Sequence, residues 1–295
     1  MFACTKHAAR GVHRESRRRS QLRRLVTALL LALPLAPAAQ EDVPFIVTPD
    51  HVTLAMLELA RVGPGDTVLD LGSGDGRIVI TAARRFGARG LGVELVPELV
   101  QRSREFARRA GVADRAEFRE QDLFKTDLSQ ASVITMYLLP EVNLQLRPAL
   151  LRLAPGTRVV SHDWDMGDWP PDRTLTLDVP DKSVGLEKKS RVHLWTVPAR
   201  VAGLWCAVDG SRLRLAQTYQ TVRGEWTRVG APGATGHALT GRLAGRVLRL
   251  EARTPADRLQ LDWHDAGHLR VVAAQGAFAS LAGTGLTPAH EGACA

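Results

Sequence analysis

The stretch Val68-Leu69-Asp70-Leu71-Gly72-Ser73-Gly74-Asp75-Gly76-Arg77-Ile78 constrains this chain more than any other. An apolar run closes on a carboxylate, and three glycines at alternate positions then lead into an amphipathic segment. That order predicts a strand, a tight turn and a helix start, with a ligand held at the carboxyl edge of an open sheet. Glycine is needed there because a Cβ would hold a ligand off the backbone and resist positive φ.

A dinucleotide fingerprint places its third glycine at the sixth position. Counted from Gly72 that position is Arg77, so Gly76 stands one residue early. Asp70, directly before the loop, is a poor neighbour for a pyrophosphate but suits a sulfonium and an α-ammonium group. The spacing therefore favours S-adenosylmethionine over NAD.

From residue 45 to 198 apolar strands alternate with helical patterns, which predicts a Rossmann-like doubly wound α/β sheet. Thr48 and Pro49 read as a hydroxyl N-cap and a first-turn proline. Strands are predicted over 67–71, 90–93, 116–121, 133–138 and 158–161, with an antiparallel pair at 175–179 and 192–197. Side chains with chemistry fall at the strand ends: Asp70, Glu94, Asp122, Tyr137, and His162 with Asp163. Glu94 lies 18 residues past Gly76, near the spacing at which an acid reaches ribose hydroxyls, and Asp122 is placed for the adenine amino group.

Beyond residue 200 the texture changes to short β-type runs between glycine turns. Seven strands are predicted, including one over 213–221 and one over 226–229 with a turn at Arg223-Gly224 between them. They suggest a small antiparallel barrel or sandwich. The domains expected are thus 1–39, 40–199 and 200–295. Residues 1–24 carry eight Lys/Arg against Glu15 alone, followed by apolar 25–35 and Ala36-Pro37-Ala38. This reads as a secretory signal peptide or an uncleaved N-terminal anchor, making the protein exported, periplasmic or membrane-associated. The leader holds +7 of the formal +8 charge, which removes the argument for a nucleic-acid partner. Cys206 and Cys294 remain beyond it and either pair or stay free. No Cys/His spacing fits a metal site.

These blocks resemble the class I, seven-strand S-adenosylmethionine-dependent methyltransferases, and among them the Dot1-like and mitochondrial-membrane protein-lysine branch. The resemblance covers roughly 44–198. It rests on the glycine segment, Val43-Pro44-Phe45-Ile46-Val47-Thr48-Pro49, Gly92-Val93-Glu94-Leu95, Asp122 to Leu128, Tyr137-Leu138-Leu139-Pro140 and Pro155 to His162. It implies N-methylation of a lysine side chain. Carried over by position, Asp70, Gly72, Ser73, Gly74, Gly76, Glu94, Asp122 and Leu123 would hold the cofactor, and Phe45 and Thr48 would close over its methionine end. Only Trp164 to Arg173 separates strands five and six, too little for the family's usual helix.

An acceptor lysine starts near pKa 10.4 and must lose its proton, which desolvation among aromatic rings assists. Tyr137, Trp164 and Trp169 are expected to form such a channel, with Asp163 or Asp165 orienting the amine. Tyr137 and Asp163 are the catalytic candidates. Two other readings compete: methylation of a small molecule beneath a β-domain cap, and an exported scaffold that retains the cofactor fold without catalysis.

Overall fold

Burial on both faces explains why the central strands of the first sheet read as largely apolar runs. The computed structural model describes residues 46–183, 187–228, 236–265, 267–290 and 294. The leader and Phe45 lie outside the described residues. Strands β1 (Thr67–Leu71), β2 (Arg89–Glu94), β3 (Ala116–Glu120), β4 (Val133–Met136) and β5 (Arg158–His162) run parallel. Strand β6 (Arg173–Asp178) and strand β7 (Lys189–Thr196) form the antiparallel edge, giving the order β3-β2-β1-β4-β5-β7-β6. The order reverses between β1 and β4, which sets the ligand crevice above their carboxyl ends.

Helices α1 (Asp50–Leu59), α2 (Arg77–Phe86), α3 (Pro97–Arg109) and α4 (Pro140–Leu150) cover the two faces. On one side Val52, Met56 and Leu57 of α1 pack against Val68, Val160 and Val192. On the other, Leu146 and Leu150 of α4 meet Leu71, Ile134 and Met136. Each such fully buried side chain contributes about 1.5–3 kcal/mol. No helix separates β5 from β6, as the short 164–173 segment required.

One capping expectation fails. Helix α1 begins at Asp50 with Pro49 at the N-cap, and no side chain caps it. Thr48 is buried and its hydroxyl meets the His162 ring at 3.3 Å instead. A hydrogen bond across the fold has displaced the local one.

Strands β8 (Gly203–Ala207), β9 (Arg212–Thr218), β10 (Thr221–Thr227), β11 (His237–Ala244), β12 (Val247–Ala252), β13 (Arg258–Asp265), β14 (His268–Gln275) and β15 (Gly285–Pro288) close into an antiparallel barrel. Its interior is filled by side chains such as Trp205, Leu213, Trp226, Leu250 and Leu261. The predicted 213–221 strand is two strands. The chain turns at Tyr219, which adopts a left-handed φ of 53°, and Gln217 Nε2 donates to the Tyr219 carbonyl at 2.7 Å. Gly224, expected in a turn, lies inside β10, where a Cβ would sit 2.8 Å from Leu215 Cδ2. It is a glycine of close approach rather than of turning. The short closing strand β15 went unpredicted, for Gly285-Leu286-Thr287-Pro288 carries no alternation. Cys206 and Cys294 form a disulfide.

Candidate active site

The glycine loop leaves β1 with Gly72, Gly74 and Gly76 at φ of 72°, 53° and 79°. A Cβ on Gly76 would lie 2.6 Å from the Phe118 ring and 2.7 Å from Ser103 Cβ, so the loop presses directly onto β3 and α3. Ser73 turns inward: its side chain is buried beside Gly92, and its backbone N–H donates to the Val93 carbonyl at 2.9 Å. Its part in the loop is therefore carried by its backbone, and its buried Oγ has no partner.

Asp70 lies beneath the loop, 2 % exposed, accepting a 2.7 Å hydrogen bond from Thr135 Oγ1 on the neighbouring strand. Burial pushes its carboxyl up to about 7, against the Thr135 hydrogen bond, and Glu94 and Asp75 push in the same direction as burial. Glu94 ends β2, with its carboxylate accepting from the backbone N–H groups of Gly74 at 2.9 Å, Leu95 at 2.8 Å and Val96 at 3.1 Å. Asp122 follows β3 and accepts from Phe124 N–H at 2.9 Å. Leu123 opens the short 3₁₀ turn beside it and packs against the core. Arg77, read in the sequence only as the residue at the sixth position of the loop, pairs with Asp75 at 2.7 Å and donates to the Thr48 carbonyl at 2.9 Å. It ties the entering chain to the glycine loop.

At the ends of β4 and β5 the second group assembles. Tyr137 Oη donates to Asp163 Oδ2 at 3.3 Å, and its ring lies 3.9 Å from the His162 ring, tilted by 34°. Asp163 adopts a left-handed φ of 64°. Arg191 N–H donates to its Oδ1 at 3.0 Å and Lys182 Nζ stands 2.7 Å from its Oδ2. His162 is buried between Thr48 and Ser190, whose hydroxyls meet its two ring nitrogens at 3.3 and 2.9 Å. Burial holds its ring well below the ordinary histidine range, so it is neutral near pH 7. Burial also raises the Tyr137 hydroxyl to about 12, helped by the Asp163 charge. Asp163 feels burial too, but the Lys182 hydrogen bond, the His162 ring and the Arg191 N–H outweigh it and keep its carboxyl below the usual range. A cavity of about 40 Å³ lies here, lined among others by Ile46, Val47, Pro49, Tyr137, His162 and Lys182.

The aromatic channel is corrected in part. Trp169 is fully buried away from this cavity, donating from Nε1 to Gln220 Oε1 at 3.1 Å and packing on Trp195 and Tyr219. A large indole with one polar atom is better satisfied in the joint between sheet and barrel than at an open rim. Asp165 does not face the amine site either; its Oδ1 accepts from Gly167 N–H at 2.9 Å, closing a local turn. Trp164 remains at the surface, 42 % exposed. No group of metal-ligating side chains occurs among the described residues.

Seven strands in this order, with a left-handed glycine loop after the first and carboxylates after the second and third, define a class I methyltransferase. The loop leaves backbone unobstructed, and its buried Asp70 and rim Glu94 and Asp122 supply negative charge and acceptors, a set that fits S-adenosylmethionine. The family model of the ANTKMT methyltransferase domain matches residues 70–173. A protein-lysine N-methyltransferase of Saccharolobus islandicus is 42% identical over 138 residues, covering 46% of this chain and 86% of that protein. An adenine nucleotide translocase lysine N-methyltransferase of Mus musculus is 38% identical over 132 residues, 44% of this chain and 57% of the mouse protein, so the chain spans little more than half of it. A solved structure described as an RNA methyltransferase from Salinibacter ruber with S-adenosyl-L-homocysteine is 53% identical, covering 53% of this chain and 96% of that one, with a TM-score of 0.48. The chain belongs to the protein-lysine branch of the class I S-adenosylmethionine-dependent methyltransferases. Its cofactor is S-adenosylmethionine.

Proposed function

We propose that this chain methylates a lysine side-chain amine of a protein acceptor. The observation that carries the reading is the Tyr137–Asp163 pair at the ends of β4 and β5, 3.3 Å apart, beside a cavity that Tyr137 and the neutral His162 ring line. When bound, S-adenosylmethionine supplies an electrophilic methyl group. Asp70, Gly72, Gly74, Gly76, Glu94 and Asp122 would hold it, with Thr48 at the methionine end. Asp163, ionised at neutral pH, would orient the incoming amine. The Tyr137 and His162 rings would strip water from it, and desolvation favours the neutral, nucleophilic form. A neutral His162 adds no positive charge to repel the acceptor. Aligning amine and methyl while excluding water is the main catalytic work of such a site. The relatives named as lysine methyltransferases support this choice of acceptor.

The test is incubation of the chain with labelled S-adenosylmethionine and cell or membrane extract, followed by identification of the labelled species. Label on lysines of one or a few proteins is expected. Label confined to RNA or to small molecules would overturn the lysine assignment. The export or membrane anchoring read from residues 1–39 belongs to the same proposal, and fractionation of cells expressing the tagged full chain checks it.

A further inference from the structure

Lys182 stands where this reading places a substrate. It lies between β6 and β7, its side chain only 15 % exposed, with Nζ 2.7 Å from the Asp163 carboxylate and 2.6 Å from the Lys189 carbonyl. Ile46, Val47, Pro49 and Tyr137 line the same cavity. Lysine is seldom buried unless paired, and the partner here is the carboxylate assigned to the acceptor amine. The sequence sharpens the point. Five of the 39 Lys and Arg residues are lysine, and three of those five are Lys182, Lys188 and Lys189. Arginine would serve a carboxylate pair at least as well, and this chain uses arginine nearly everywhere else. Lysine offers at this position a simple amine that a methyl donor can alkylate.

We propose that Lys182 is itself a methyl acceptor, modified in cis through the Tyr137–Asp163 subsite. The inference rests on the lysine-methylation reading of that site. In the step, Lys182 Nζ gives one proton to water and its lone pair forms the new N–C bond. The donor's S–C bond breaks, its electron pair stays on sulfur, and S-adenosylhomocysteine is released. Each methyl removes an N–H, and a trimethylated Lys182 has none left for Asp163 or the Lys189 carbonyl. The modified side chain would then vacate the subsite and open it to an external lysine.

Two measurements on the full chain test this. Without donor, treatment with an amine-acylating ester and peptide mass spectrometry should show Lys182 reacting many-fold more slowly than Lys188, and Asp163→Asn should abolish the lag; equal rates in the unmodified chain would overturn the placement. With donor, the peptide carrying Lys182 should gain methyl groups at a rate per molecule independent of protein concentration, and Lys182→Arg should lose that signal. A rate that rises with concentration would overturn transfer in cis. Methylated extract proteins with Lys182 untouched would overturn this inference and leave the lysine reading standing. Absence of methyl groups from every lysine would remove both.

Discussion

Asp70 is the clearest residue at which function opposes stability. Its folded pKa of about 7 exceeds the ordinary value of 3.8, so the folded protein binds a proton more tightly than the unfolded chain. Stability is therefore fully present below pH 4 and declines as pH rises through 7, by roughly 4 kcal/mol in all. Asp70→Asn should raise the Tm of the cofactor-free protein at pH 8, measured by calorimetry. A cationic donor reverses the balance, because its charge favours the carboxylate. Affinity for S-adenosylmethionine should rise about tenfold from pH 6 to pH 8, with proton release, and the Asn variant should lose that dependence. Tyr137 and Glu94 divide differently. Tyr137→Ala should reduce turnover by one or more orders of magnitude with little change in cofactor affinity; equal losses in both would refute its role at the acceptor side. Glu94→Ala should mainly weaken binding of S-adenosylhomocysteine, read by calorimetry.

Among elements, the glycine loop is the most tightly specified. Gly76 combines a left-handed φ with backbone seated against Phe118 and Ser103. Alanine there brings the left-handed penalty and a clash that α3 must yield to, about 3 kcal/mol together. Gly76→Ala should lower Tm by several degrees and abolish donor binding, by thermal scan and titration. Such a loop was legible in sequence because its chemistry is local: alternate glycines, a carboxylate before them, acids closing the next strands. The rest was set by distant partners. Thr48 has every local qualification for an N-cap and serves His162 instead. The hairpin at Tyr219-Gln220 contains no glycine, proline or asparagine, and long-range hydrogen bonds hold it. Lys182 gave no sequence signal beyond the scarcity of lysine.

For the whole molecule, the barrel acts as a brace on the loop that replaces the missing helix. Gln220, buried at the β9–β10 turn, accepts from Trp169 Nε1 at 3.1 Å and donates to the Pro170 carbonyl at 2.6 Å. Tyr219 donates to Asp168 at 2.9 Å, and Arg242 pairs with Asp172 at 2.8 Å. The braced segment begins just past Asp163. Gln220→Ala would leave the buried Trp169 N–H unpaired, at a cost of about 1–3 kcal/mol. The expected outcome is a Tm lower by about 5 °C, with KM for the protein acceptor raised more than kcat falls. An unchanged KM would limit the brace to stability.

The link between Cys206 and Cys294 fastens strand β8 to the far end of the chain, 88 residues on. Such a staple forms and persists under oxidising conditions. Carboxypeptidase digestion reads the link: reduced molecules would be trimmed inward past residue 294, whereas oxidised ones would retain Cys294.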